Sequence, residues 1–385
     1  MKIAFVVGEP SGDAIGADLI RALRARLAGD LKLVGLAGEA MQAEGMETLF
    51  DIEELSIMGV SAILARLPQL VRRVGQTADA IIAARPDALV VIDSPTFSHR
   101  VAKRVRAKLP AMPIVNYIPP TVWAWRESRA AKMVAYVDHA ICALPFEPDT
   151  MARLGGPPST YVGHPLMKEP GLSAILASEA PLVGKAAKAP PRLVILPGSR
   201  RGEIDRLAAD FGATLARLSE LLPGVTAVLP TLVRHRERIE AEVAKWPVKP
   251  EIVTGNDAKW QAFAGADAAL AASGTVSLEL ALAGVPMALA YKLDPVAYQI
   301  RHLISAWTAA MPNFIVGHPL VPEHFHEFVR PEMLARRLAR LMTETPERHA
   351  QLAGFDDIRR LMSIDRAPGE AAAEIVLELA AKGRR

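Results

Sequence analysis

Ile3-Ala4-Phe5-Val6-Val7-Gly8-Glu9-Pro10-Ser11-Gly12-Asp13 carries the reading of the fold. An apolar run of this length is too short for the core of a secretory signal, and glycine and acid follow it at once. It reads as a buried first strand that feeds a tight loop and then a helix. Short apolar runs of the same kind recur at Lys32–Leu36, Ala88–Ile92, Ile114–Tyr117, His139–Ala143 and Thr160–Val162. Amphipathic stretches such as Ala14–Leu27 and Val71–Ala84 lie between them. Strands that alternate with helices imply parallel sheets covered on both faces.

The alternation breaks over Leu166–Arg192, which carries Pro170, Pro181, Pro190 and Pro191 among alanines and serines. A linker over 166–189 with one short helix is expected there. Strands then resume at Leu193–Leu196, Val225–Leu229, Glu251–Val253, Ala268–Ala272 and Met287–Tyr291. The tail from Glu347 reads as helical, with one apolar face through Leu352, Phe355 and Ile358 and another through Ile375, Val376 and Leu379. A chain of 385 residues exceeds what one core usually supports, so two domains are expected. The fold class is α/β, with two doubly wound units facing a cleft. Ligands of such sheets gather beyond the carboxyl ends of the strands.

The composition narrows the class. Hydrophobic residues make up 51% and charged residues 23%, a globular balance that excludes a disordered or fibrous chain. Cys142 is the single cysteine, which excludes an internal disulfide and suits a reducing compartment. No stretch approaches the roughly 20 apolar residues of a spanning helix. The net charge of +3 is mild, yet Arg100, Lys103, Arg104, Arg106, Lys108, Arg126, Arg129 and Lys132 are interrupted by one acid, Glu127. That cluster fits an anionic surface or a set of solvated helix faces. The uncharged segment Leu55–Ala65, followed by Arg66, Arg72 and Arg73, reads either as interfacial or as a core helix.

Four loops behind strands offer chemistry. Gly8 to Asp13 opens a helix, where backbone amides favour anions. Its glycine spacing misses the dinucleotide fingerprint, so no nicotinamide cofactor is expected. Asp13 reads equally well as a helix cap. Asp93 follows the strand Ala88–Ile92 and can act as a general base, or can bond nearby loop amides. Leu196-Pro197-Gly198-Ser199-Arg200 lets a phosphate approach small residues beside a guanidinium. Ala272-Ser273-Gly274-Thr275 ends a strand and starts a helix, with Glu279 one turn along. That pattern suits a diphosphate, with the glutamate accepting from ribose hydroxyls. Asp51-Ile52-Glu53 is set aside as a loop coincidence. His318, His324 and His326 fit no compact metal spacing and are expected to be solvated.

At these residues the chain closely resembles the lipid-A-disaccharide synthases. The matching stretches, in order, include Gly8–Asp13, Leu55–Val60, Ile92–Pro95, Val122-Trp123-Ala124-Trp125, Leu144–Glu147, Val162–Pro165, Leu196–Arg200, Ala272–Thr275 and Pro312-Asn313. The resemblance implies a GT-B fold with an acceptor domain over 1–165 and a UDP-sugar domain over 190–344. It implies that C-terminal helices, about 345–385, return to the first domain. The implied reaction joins UDP-2,3-diacylglucosamine to 2,3-diacylglucosamine 1-phosphate (lipid X), inverting the anomeric centre without a metal or other cofactor. Asp93 and Asn313 are implied as catalytic. Glu9, Ser11, Gly12, Asp13, Trp123 and Trp125 are assigned to the substrates. Gly198, Ser199, Arg200, Ser273, Gly274, Thr275 and Glu279 are assigned to UDP. A homodimer on an anionic membrane surface, at the cytoplasmic face of the inner membrane, is implied, with no nucleic-acid partner. Thr96, Ser98 and His326 depart from the family pattern, which has an acid, Asn and Gln there. An aminosugar epimerase of the same fold, or a silent lipid-binding protein, are the alternatives.

Overall fold

The computed structural model describes residues 1–27, 29–55, 60–178, 182, 190–294, 298–299 and 306–383, with 60–67 and 178 described by backbone alone. The chain forms two units, Met1–Pro165 with Ile364–Arg385, and Leu166–Ser363.

The first unit carries β1 (Lys2–Val7), β2 (Lys32–Leu36), β3 (Ala88–Ile92), β4 (Ile114–Tyr117), β5 (His139–Cys142) and β6 (Ser159–Tyr161). Its helices are α1 (Pro10–Arg26), α2 (Glu39–Ala43), α3 (Val60–Ala84), α4 (Ser98–Lys108), α5 (Arg129–Met133) and α6 (Glu147–Arg153). The strands pair in parallel in the order β2-β1-β3-β4-β5-β6. Every residue of β3, Ala-Leu-Val-Val-Ile, is buried, as a central strand covered on both faces requires. The order reverses between β1 and β3, and Val7 stands opposite Ile92. The loops that begin at Gly8 and Asp93 therefore leave the sheet side by side, at the switch point where such folds bind ligands.

The second unit carries β7 (Arg192–Leu196), β8 (Thr226–Thr231), β9 (Glu251–Thr254), β10 (Ala268–Ala272), β11 (Met287–Tyr291) and β12 (Glu323–Phe325). Its helices are α7 (Pro170–Ser178), α8 (Arg201–Leu221), α9 (Arg236–Val243), α10 (Asn256–Gly265), α11 (Val276–Leu282), α12 (Met311–Val316), α13 (Pro331–Leu341) and α14 (Pro346–Met362). The parallel order is β12-β11-β10-β7-β8-β9. Its switch point lies between β7 and β10, where Leu196 pairs with Ala271. The strand β12 falls where the sequence suggested loop histidines. His324 is buried within it, not solvated.

Two boundaries differ from expectation. Residues 170–178 do not act as a linker, because α7 packs on α10. A Cβ on Gly171 would stand 2.2 Å from Trp260 Cγ, and Leu172 is buried. Residues 179–181 and 183–189 lie outside the described residues. The return to the first unit begins at Ile364 and not near 345. The helix α14 stays with the second unit for a polar reason. Gln351 accepts from the Met287 amide at 2.7 Å and donates to the Met287 carbonyl at 3.0 Å, extending the β11 ladder. Arg348 donates to the carbonyls of Asp267 and Leu341. Its apolar face of Leu352, Phe355 and Ile358 is buried, each worth roughly 1.5–3 kcal/mol. The last helix, α15 (Pro368–Lys382), joins the core of the first unit through Ala372, Ala373, Val376 and Ala380. Gly369 allows it to touch α1, since a Cβ there would meet Asp18 Oδ2 at 2.5 Å.

No helix among the described residues is long and apolar enough to cross a membrane. Ser56–Gly59 of the uncharged segment lie outside the described residues, and α3 begins directly after them.

Candidate active site

The switch point of the second unit opens into a cavity of about 610 Å³. That volume lies within the roughly 300–1,000 Å³ of small-molecule sites. Gly198, Ser199, Arg200, Ser273, Gly274, Thr275 and Glu279, the residues assigned to UDP, all line it. Gly198 is required by geometry. Its φ is +121°, and a Cβ would stand 2.5 Å from Glu203 Cβ. Glu203 is buried at the start of α8 and accepts from the amides of Ser199 at 3.1 Å and Arg200 at 3.2 Å. These amides are therefore taken by a carboxylate, against the expectation that this turn presents backbone to a phosphate. What the turn offers is the Arg200 guanidinium, whose side chain is 70% exposed and touches Glu203 at 3.4 Å.

The opposite wall is the β10–α11 turn. Ser273 donates its hydroxyl to the Ala309 carbonyl at 3.0 Å, and the Ala309 amide donates to Glu323 at 2.8 Å. Glu279, one turn into α11, pairs with Lys259 of α10 at 2.9 Å. Sequence reasoning missed Lys259. It stands in the first turn of a helix that follows a strand and Gly255, the same position that marked the other loops.

Asn313 is held by the protein itself. It is 1% exposed, and both ends of its amide are used. Its Oδ1 accepts from Leu320 at 2.9 Å and Val321 at 2.8 Å. Its Nδ2 donates to Thr308 at 3.1 Å and the Val321 carbonyl at 3.1 Å. Two acceptor and two donor positions saturate an amide side chain, so Asn313 braces the segment that presents Ala309.

In the first unit, Asp93 ends β3 in the left-handed region at φ 52°, and Ser94 follows at φ 45°. Two consecutive non-glycine residues there store strain, which gathers at functional positions. Surrounding bonds hold the turn. The Asp93 amide donates to the Tyr117 carbonyl at 3.1 Å, and the Ser98 hydroxyl donates to the Asp93 carbonyl at 2.6 Å. The Asp93 carboxylate is half-buried and accepts from the Ser94 amide at 2.7 Å. Gly8 permits the close approach of β1, for a Cβ there would lie 2.5 Å from Ser94 Cβ. Gly12 faces Asp93 Cβ, 3.6 Å from where its own Cβ would be. The neighbouring Glu9 carboxyl is raised above its usual range, first by partial burial and then by the Asp93 charge. Ser11 is exposed in the first turn of α1.

Asp13, assigned to substrate, bonds backbone of a distant segment. It is buried, and its carboxylate accepts from the amides of Gly38 at 2.9 Å, Ala40 at 2.7 Å and Met41 at 3.2 Å. It caps α2, a helix distant in sequence, with three of the roughly four acceptor positions of a carboxylate.

Trp123 and Trp125 lie on the loop after β4, at the same end of the sheet as Asp93. Trp123 donates its indole N–H to Glu147 at 3.2 Å and meets the Phe146 ring edge-on at 5.4 Å. Arg126 lies 5.3 Å from the Trp125 ring. Glu147 is buried and also accepts from the amides of Ala143 and Leu144. Burial outweighs these bonds and pushes its carboxyl up to about 7. Behind Asp93, His99 is buried, with Nδ1 at 3.0 Å from the Tyr136 hydroxyl and Nε2 at 3.0 Å from Asn116 Oδ1. Burial lowers the imidazole to about 4, so it stays neutral as a strut between α4 and β4. Neither Glu147 nor His99 is marked by loop spacing.

A family model described as Lipid-A-disaccharide synthetase matches residues 3–376. The chain belongs to the lipid-A-disaccharide synthase family. Its relative from Nitrobacter winogradskyi, a lipid-A-disaccharide synthase, is 46% identical over 385 residues, covering 100% of this chain and 96% of the relative. As a member of the lipid-A-disaccharide synthase family the chain is an enzyme of lipid A biosynthesis, a glycosyltransferase. Among solved structures, the calicheamicin glycosyltransferase CalG4 matches with a TM-score of 0.58 at 16% identity, covering 99% of this chain and 98% of its own. The UDP-GlcNAc 2-epimerase from Neisseria meningitidis bound to UDP-GlcNAc matches with a TM-score of 0.58 at 14% identity, covering 99% and 100%. These likenesses carry the fold, two Rossmann-like α/β units. Among the described residues no group of three or more His, Cys, Asp or Glu side chains is placed to hold a metal ion.

Proposed function

We propose that the chain transfers 2,3-diacylglucosamine from its UDP donor to the 6-hydroxyl of lipid X, giving the β-1,6-linked disaccharide 1-phosphate and UDP. The observation that carries this reading is the cavity of about 610 Å³ where every residue assigned to UDP converges at one switch point. The acceptor oxygen forms its bond to the anomeric carbon as the bond to the diphosphate breaks, on opposite faces, which inverts the centre. The proton of the 6-hydroxyl passes to Asp93, whose strained turn is held in place from several sides. The leaving electron pair stays on UDP. Arg200 offsets the charge that grows there, with Lys259 nearby in the same cavity, so that no metal ion is needed. Glu279 accepts from the ribose hydroxyls. Trp123 and Trp125 carry the acceptor sugar, with Glu9, Ser11 and Gly12 beside the base. Asn313 acts through the segment it braces.

The acyl chains call for a surface that shields them, since each exposed CH₂ costs roughly 0.8 kcal/mol. The reading therefore sets the protein at a membrane surface, and the family resemblance implies the cytoplasmic face of the inner membrane and a homodimer. Exposed Arg100, Lys103, Lys108, Arg126 and Lys132 support attraction to anionic lipid, whereas Arg104 and Arg106 are already paired with Asp79 and Asp138. Incubation with UDP-2,3-diacylglucosamine and lipid X, with and without a chelator, tests the whole proposal. Equal UDP release and disaccharide formation in both are expected. Epimerised UDP-sugar without disaccharide, or loss of turnover with the chelator, would each count against it.

A further inference from the structure

The walls of the UDP cavity carry two carboxylates, Glu203 and Glu279, and two cations, Arg200 and Lys259. The charges are unequally committed. Glu203 is buried and already accepts from the amides of Ser199 and Arg200. Glu279 is the carboxylate left facing a ligand that brings a diphosphate, and a bare anion there repels it. Lys259 Nζ sits 2.9 Å from Glu279 Oε2, with 24% and 19% of the two side chains exposed. The Lys259 ammonium also lies 4.8 Å from the Trp260 ring and 6.0 Å from the Phe263 ring. These contacts hold the ammonium against the aromatic rings of α10. One oxygen of Glu279 is thus tied down and the other is left free to accept.

We propose that Lys259 is a positioning residue for nucleotide recognition: its ion pair aims the free oxygen of Glu279 at the ribose diol and cancels the carboxylate's charge against the diphosphate. The inference rests on the reading of this cavity as the UDP site. It makes one lysine responsible for two properties, affinity for UDP and discrimination of ribose from 2′-deoxyribose. A lysine that merely packed over Trp260 would supply neither.

The test is calorimetric titration of the full chain with UDP and with 2′-deoxy-UDP. Wild-type protein is expected to prefer UDP by roughly tenfold, the worth of a hydrogen bond to a charged acceptor. Lys259→Met keeps the apolar stem over the rings and removes the charge. It is expected to weaken UDP binding by roughly tenfold and to bring the two nucleotides within about twofold of each other. Lys259→Arg is expected to restore affinity, and with it part of the preference. Circular dichroism and melting of each variant confirm folding. If Lys259→Met keeps both the wild-type affinity and the wild-type preference, the positioning role is overturned while the UDP site stands. If wild-type protein binds neither nucleotide, the reading of the cavity falls, and the inference with it.

Discussion

The switch point of the first unit is built from strained turns and buried titratable groups, whereas that of the second is built from glycine and paired charges. At β3, Asp93 and Ser94 occupy left-handed backbone that asparagine and glycine tolerate best. Beneath them His99, Asn116 and Tyr136 form a buried polar strut. At β7, the left-handed position is Gly198 itself, and the neighbouring charges sit in pairs, Arg200 with Glu203 and Lys259 with Glu279. The difference follows the chemistry each end must perform. A base needs a fixed direction and a controlled protonation state. A diphosphate site needs room for the ligand and cations held beside it.

The sharpest way to break this contrast is Asp93→Asn, which keeps a residue tolerant of φ 52° and removes the base. Turnover is expected to fall roughly a thousandfold with UDP affinity unchanged, measured by UDP release and calorimetry. Retained turnover would remove Asp93 from the chemistry.

Next comes Glu147→Gln. The wild-type carboxyl is raised to about 7, so its neutral form favours the fold. That contribution is complete below the ordinary carboxylate value and is lost as pH rises through about 7. Chemical denaturation of both proteins between pH 4 and 8 should show the stability gap moving in favour of the variant by about 3 kcal/mol. A gap that stays constant with pH would show that burial does not control this group.

In the second unit, Arg200→Ala is expected to lower kcat/KM for the UDP donor roughly a hundredfold, because its guanidinium is the exposed cation of the cavity. An unchanged kcat/KM would shift charge stabilisation wholly to Lys259. The smallest effect expected is that of Asn313→Ala. It strands the amides of Leu320 and Val321 and should cost about 2 kcal/mol of stability by thermal melting. A large loss of turnover at unchanged stability would instead return Asn313 to direct contact with substrate.

Much of the fold was legible because parallel strands buried on both faces must be apolar along their whole length. Ala88–Ile92 and Ala268–Ala272 could be read residue for residue. The short edge strand Glu323–Phe325 could not, since three residues, two of them polar, show no period. The loops were legible for a related reason: glycine, serine and charge directly after a strand mark the places where backbone meets ligand.

The sequence by itself determined the two α/β units, their order, the loops that bear the chemistry and the family. These depend on local periodicity and on short motifs, which survive without knowledge of partners. Only the tertiary structure decided how each polar side chain is used. It turned Asp13 into a cap for α2, Asn313 into a brace and Glu203 into an occupant of its own turn, and it joined Lys259 to Glu279. The physical reason is that a carboxylate or amide can satisfy either a ligand or the backbone. Which one it meets depends on what distant segments bring within about 3 Å of it, the reach of a hydrogen bond.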